Sequence, residues 1–152
     1  MQVMVVEFAR NQLKLTRADS TEMDQATPHP IISLLEEQKL ISDRGGTMRL
    51  GAYPCRLKHA SLAYKAYGKD LIQERHRHRY ELNNKYRAQL EQAGLIVSGT
   101  FEEGDLCEIV EVANHPWMVG AQFHPEFASK PLEPQPLFRD FVKAMIDRKM
   151  TC

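Results

Sequence analysis

The stretch Trp117-Met118-Val119-Gly120-Ala121-Gln122-Phe123-His124-Pro125-Glu126 is the most informative in this chain. An apolar run ending in phenylalanine reads as a short buried strand. Such a strand delivers His124 to its end, where Pro125 fixes a backbone φ and removes a donor. Glu126 follows two residues after the histidine, close enough for a turn to aim its carboxylate at the imidazole. That is the orienting half of a nucleophile–base–acid triad, in which the carboxylate holds the ring in its useful tautomer. The same three residues also make an ordinary turn, and alone they do not separate the two.

Outward from that strand, two more apolar runs, 95–101 and 106–112, predict neighbouring strands. Glu102-Glu103-Gly104-Asp105 and Asn114-His115-Pro116 supply the hairpin turns. Upstream, Asn83 or Asn84 caps a helix with Tyr86, Leu90 and Ala93 inward, ended by Gly94. Residues 71–74 lead into Arg75-His76-Arg77-His78-Arg79-Tyr80-Glu81-Leu82, whose alternation divides arginines and histidines between two faces of an extended segment. Ser61 caps a brief helix that Gly68 stops. Arg44-Gly45-Gly46 predicts a turn, residues 47–51 a short strand, and 52–60 a second extended piece.

Nearer the start, residues 16–30 read as a long polar loop and Ile31 to Gln38 as a short helix after Pro30. Residues 1–13 place Met1, Met4, Val5, Phe8 and Ala9 at helical spacing. That helix has no capping residue, so the chain is expected to begin partway through an element. After a proline-rich turn at 131–136, a final helix carries Leu137, Phe138, Phe141, Val142 and Met145 on one face. Met4, Met118, Met145 and the aromatics are expected in the core. The whole predicts one layered α/β domain over residues 1–152 with a hairpin-rich C-terminal half, its strands antiparallel where connections are too short for crossovers.

Composition narrows the function classes. A chain of 152 residues can bury a real core. Twenty basic and twenty acidic residues give zero net charge, which offers nucleic acid or a membrane surface no electrostatic footing. No apolar stretch has the length of a membrane span. Three widely spaced cysteines, Cys55, Cys107 and Cys152, fit reduced thiols and a cytoplasmic location. His76 and His78 have no third ligand at a convincing spacing, so no metal site is expected. His29, His59 and His115 read as turn or surface residues.

At the level of motifs, residues 75–83 together with Phe123-His124-Pro125-Glu126-Phe127 resemble the class I glutamine amidotransferase domain of the CTP synthase family. Glu7-Phe8-Ala9-Arg10-Asn11, Ser20-Thr21-Glu22, Gly46-Thr47-Met48-Arg49-Leu50-Gly51, Ser61-Leu62-Ala63 and Pro136-Leu137-Phe138 with Phe141-Val142 extend the similarity over nearly the whole chain. The resemblance implies an α/β glutaminase in which a cysteine attacks the side-chain amide of glutamine. His124 would be the base and Glu126 the carboxylate that holds it. Gln2, Glu22 and Arg79 would contact the substrate, Glu22 its α-amino group and Arg79 its α-carboxylate, a sensible pairing for a zwitterion. The family further implies a separate synthetase domain that uses ATP and Mg to aminate UTP, GTP as allosteric activator, and a homotetramer.

One departure matters. In the family, the nucleophilic cysteine stands three residues before the methionine that is Met1 here. None of Cys55, Cys107 and Cys152 fits that role, and each reads as a buried or incidental thiol. The polypeptide as given is therefore expected to lack turnover, to be an N-terminally truncated part of a glutaminase domain, and to expose apolar surface. The competing reading is a non-catalytic remnant serving as a structural or interaction module.

Overall fold

In the computed structural model, which describes residues 1–34 and 48–150, the chain passes from one β-sheet to another at Arg79. Strand β1 (Ala18–Ser20), β2 (His29–Leu34) and β5 (Tyr80–Leu82) form one sheet, with β2 in the middle. Strands β3 (Arg49–Leu57), β4 (Leu71–His78), β6 (Leu95–Phe101), β7 (Leu106–Val112) and β8 (Val119–Ala121) form the other, in the order β4-β3-β6-β7-β8. Every pairing in this second sheet is antiparallel. Helices α1 (Gln2–Asn11), α2 (Leu62–Tyr67), α3 (Arg87–Gln92) and α4 (Pro136–Lys149) pack around them. This is the layered α/β arrangement, with antiparallel hairpins in its second half, that the spacing predicts.

Two apolar clusters make the core. One joins Val5, Val6 and Ala9 of α1 to Ile31, Ile32, Leu82, Leu90, Leu95 and Val110. The other joins Cys55, Leu57, Ala63, Ile72, Ile109, Phe123 and Leu137. Each fully buried aliphatic contributes about 1.5–3 kcal/mol. Arg10 fastens α1 to β1 through bonds of 2.8 Å to both the Ala18 carbonyl and the Asp19 carboxylate.

Several local expectations hold in detail. Ser61 caps α2 by accepting from the Tyr64 N–H, and Gly68 ends it at φ +63°, where a side chain would be strained. Asn83 caps the turn that leads into α3. The two-faced reading of β4 is also correct: Arg75 and Arg77 are exposed, whereas His76 is buried and His78 nearly so. The first hairpin turns at Glu102–Gly104.

Other expectations fail. Ile31 to Leu34 belong to β2 and are not helical; residues 35–38 of that expected helix, the turn at 44–46 and Thr47 lie outside the described residues. Both Ile31 and Ile32 are fully buried, so β2 is covered on both faces, and a run buried all round cannot be told from a helix by periodicity. The polar loop expected at 16–30 contains β1 and the start of β2, including His29. The two extended pieces expected around residue 52 are one strand, β3; β6 reaches it only at Arg56 and Leu57, so Pro54 faces a single neighbour. Strand β8 is shorter than the apolar run that predicts it. Ala93 faces solvent.

The last helix shows the largest difference. Only Leu137 of α4 is buried, while Phe138, Phe141, Val142 and Met145 are 41–49% exposed. Met118 and Phe127 are likewise outside the core. Cover is partial: Phe138 and Phe141 border a hollow with Met1, Met4 and Trp117.

Helix α2 also depends on a distant carboxylate. Glu111 of β7, 2% exposed, accepts from the N–H groups of Leu62 and Ala63 at 2.9 Å each. These are first-turn donors with no intrahelical acceptor. The Glu111→Ala substitution is expected to lower stability by about 1–3 kcal/mol, because it leaves buried donors unmet. Chemical denaturation checks this, and a variant as stable as the wild type contradicts it.

Candidate functional site

His124 sits where β8 has run out, and its position is fixed from both sides. Its N–H donates to the Arg75 carbonyl at 2.9 Å, tying it to β4. Beyond it, Pro125 opens a single 3-10 turn, Pro125–Ala128. That turn brings the Glu126 carboxylate to 2.7 Å from the His124 Nδ1, and the Phe127 ring stacks on the imidazole at 5.3 Å between centroids. The bond to His124 holds the Glu126 carboxyl below the usual carboxylate range. With Nδ1–H donating to Glu126, the ring presents Nε2 as its available base. The sequence spacing permits this pair without separating it from an ordinary turn, and the structure brings the two side chains together.

Gln2, Glu22 and Arg79 come from three separate elements and line one cleft of about 260 Å³, together with Met48, Arg77, His78 and Tyr80. Gln2 begins α1, and its side-chain amide donates to the Tyr80 carbonyl at 3.1 Å. Glu22 stands in the tight turn after β1, where Met23 and Asp24 donate back to the Ser20 carbonyl. Arg79 is the junction residue between the two sheets. Gly120 permits this closeness: a Cβ there would stand 3.1 Å from the Met1 Cα, so β8 can lie against the first turn of α1. His124 does not line the cleft; its connection runs through β4. A larger hollow of about 820 Å³, bordered by Thr21, Pro30, Leu34 and Tyr86, contains none of the charged candidates. Of these two, the smaller cleft is the one lined by both an acid and a base.

Beneath the cleft lies a buried polar cluster that the sequence does not announce. Arg49 of β3 reaches Glu108 of β7 at 2.6 Å and Glu81 of β5 at 3.3 Å, and its guanidinium stacks over the Tyr53 and Phe101 rings at 4.4 and 4.9 Å. His76 Nδ1 stands 2.8 Å from His78 Nε2 and 3.4 Å from Glu108 Oε2. Burial pushes the His76 imidazole down to about 3 and His78 down to about 4, with the Arg49 charge adding to both. Both rings are therefore neutral, and their approaches to Glu81 and Glu108 are not ion pairs. Burial also raises Glu81 to about 7 despite Arg49, and raises Glu108.

His76, His78 and Glu108 bring three possible ligand atoms within 4.8 Å of one another, so the third ligand that sequence spacing could not supply does exist. The Arg49 guanidinium, however, already provides the cation that Glu108 faces. Residues so far apart in sequence carry no local signal, and only their strand registers bring them together.

Cys55 and Cys107 lie in β3 and β7, both buried and unpaired, as expected. Burial pushes both thiols well above their ordinary range, so neither offers a thiolate. Cys152 lies outside the described residues. No described helix is long and apolar enough to cross a membrane.

The buried cluster makes stability depend on pH. Unfolding lets His76 and His78 regain an ordinary pKa near 6.5, so the unfolded chain binds more protons below that pH, and stability falls as pH drops from about 6.5 toward 4. Glu81 acts oppositely, because its raised pKa makes the folded chain hold the extra proton between about 4.5 and 7. Glu108 and Glu74, also raised by burial, act in the same direction as Glu81, so the comparison of variant with wild type isolates one group. Relative to the wild type, Glu81→Gln is expected to lose melting temperature progressively as pH drops from about 7 to 4.5, and a difference that stays constant across this range contradicts the raised Glu81 carboxyl.

The model of the class-I glutamine amidotransferase family matches residues 1–144. The chain is 62% identical over 146 residues to the CTP synthase of Protochlamydia amoebophila, a match covering 96% of this chain and 27% of that protein. With the CTP synthase of Aquifex aeolicus it shares 56% identity over 149 residues, covering 98% of this chain and 28% of the relative. The chain thus spans little more than a quarter of these relatives. Among solved structures, the glutaminase domain of the Trypanosoma brucei CTP synthase with bound acivicin superposes with a TM-score of 0.90 at 32% identity, covering 97% of this chain and 57% of that one.

Proposed function

This chain belongs to the class-I glutamine amidotransferase family, and on that premise we propose that it is part of the glutaminase domain of a CTP synthase. The observation that carries the reading is the convergence of Gln2, Glu22 and Arg79 on one cleft, with the His124–Glu126 pair fastened to the strand that forms its wall. An acid and a base in one small cleft suit the α-amino and α-carboxylate groups of an amino acid. L-Glutamine is the substrate this reading assigns, with Glu22 facing its ammonium group and Arg79 its carboxylate.

The chemistry then follows from the geometry of the pair. His124 Nε2 takes the proton of a cysteine thiol, and the sulfur attacks the amide carbon of glutamine. His124 returns the proton to the departing nitrogen as ammonia leaves, and Glu126 steadies the imidazolium formed between these steps. Water, deprotonated by the same imidazole, attacks the thioester and releases glutamate. The nucleophile is assigned to the family's Cys-Leu-Gly-Met-Gln stretch, of which Met1 and Gln2 are the last two residues. Cys55 and Cys107 are excluded by burial and by their raised pKa values.

In the longer protein this reading implies, ammonia passes to a synthetase domain that uses ATP and Mg to convert UTP to CTP, with GTP as activator and a homotetramer as the assembly. The two imidazoles of the buried cluster do not suit magnesium, which prefers oxygen ligands, and Arg49 occupies the cationic position there. ATP and Mg are therefore assigned to the synthetase domain.

Calorimetric titration with L-glutamine tests the substrate assignment. The wild-type chain is expected to bind, and Glu22→Gln and Arg79→Ala to weaken binding about tenfold or more, as loss of a charged hydrogen bond does. Absence of binding, or variants with wild-type affinity, overturns the assignment. The chain alone is expected to release no glutamate in a coupled assay. Release abolished by changing Cys55 or Cys107 would relocate the nucleophile.

A further inference from the structure

We infer that Gln122 is a positioning residue for the glutamine cleft: its side-chain amide holds the Tyr80 peptide, and with it the Arg79 wall, in register with His124 two residues farther along the chain. The inference rests on the reading of the cleft given above and adds a residue outside it.

Gln122 is 7% exposed and lies just past β8, its backbone N–H fixed to the Glu108 carbonyl at 2.8 Å. Its side-chain nitrogen stands 2.7 Å from the Tyr80 carbonyl, 3.1 Å from His78 Nδ1 and 3.4 Å from Glu81 Oε2. The shortest of these is to the first carbonyl after the chain has changed sheets. Gln2 donates to that same oxygen at 3.1 Å, so both lone pairs of the Tyr80 carbonyl are taken, one by α1 and one by the strand that carries His124.

This placement matters because Arg79 lies at the junction of the two sheets. Strand β4 ends at His78 and β5 begins at Tyr80, in different sheets. The Tyr80 peptide beside Arg79 is held by the β2 ladder at Leu34 and by the Gln2 and Gln122 side-chain amides. His124 is tied to the same strand four residues before Arg79, through its N–H and the Arg75 carbonyl. Two bonds thus connect the catalytic segment to the cleft wall, one on each side of the junction. Without the Gln122 amide, Tyr80 keeps its holds on Gln2 and on β2, but neither reaches the catalytic segment, which is then tied to the wall through the Arg75 carbonyl on the near side of the junction. Reaction at a held substrate tolerates little misplacement of the wall relative to the imidazole.

A purely space-filling role for Gln122 would need neither the donor nor its length. Gln122→Met keeps length and volume and removes the donor; Gln122→Asn keeps the amide and withdraws it by one methylene. Either variant is expected to bind L-glutamine about three- to tenfold more weakly, the range for one net hydrogen bond. In the wild type, NMR is expected to show the His124 ring signals shifting on saturation with glutamine. In the variants that shift is expected to shrink, and the Tyr80 carbonyl carbon signal to move even without ligand. Wild-type affinity together with an unmoved Tyr80 carbonyl signal overturns the proposal. So does a weakening that disappears once corrected for the folded fraction, read from thermal melts. If Gln122→Met does not fold, Gln122→Asn decides by the same criteria. A wild-type chain that fails to bind glutamine overturns the substrate assignment instead, and the Tyr80 carbonyl signal then judges the positioning role alone.

Discussion

A guanidinium buried between two carboxylates joins the two sheets. Arg49 comes from β3, Glu108 from β7 and Glu81 from β5, so one cation binds strands of both sheets at the point where the chain crosses between them. Such clusters contribute little net stability, since desolvation offsets most of the attraction. What they can supply is uniqueness: a slip of any one strand would leave a charge buried without its partner. Here the registers so fixed are those of β3, β7 and β5, and the ladder that sets Arg49 opposite His78 carries the constraint to β4 beside the cleft. The aromatic rings of Tyr53 and Phe101 complete the enclosure by stacking on the guanidinium.

What could be read from the sequence was whatever depends on neighbours along the chain. His124 and Glu126 are two residues apart, so a turn suffices to pair them. Ser61 and Gly68 mark α2 because caps are local chemistry, and the hairpin of β6 and β7 follows from two apolar runs with an acidic turn between. Ile31 to Leu34 misled because Pro30 suggests a helix start, whereas burial on both faces makes a strand. The roles of Arg49, Glu108 and Gln122 could not be read, since each depends on a strand pairing that no local pattern specifies. The substrate candidates Gln2, Glu22 and Arg79 came from resemblance, and the cleft that unites them emerged only in three dimensions.

The helix α4 marks a different limit. Its apolar stripe was legible, but a stripe says only that a face seeks cover, not that cover is present. Gln135 anchors the helix start by capping Leu137 and by reaching Glu74 at 3.1 Å, while Tyr67 donates to the same carboxylate at 2.7 Å. The helix is thus secured at one end by polar contacts, and its apolar face beyond Leu137 is only partly covered.

Gly120 has a consequence beyond its own strand. At Gly120 a Cβ would stand 3.0 Å from the Met4 sulfur and 3.1 Å from the Met1 Cα, so β8 and the start of α1 are packed closely enough that a methyl group would push one against the other. Any bulk introduced there would be transmitted to Gln2 and so to the Tyr80 carbonyl that two amides share. A hydrogen atom in place of a side chain is, at this spot, what lets the strand lie against the residue that precedes Gln2.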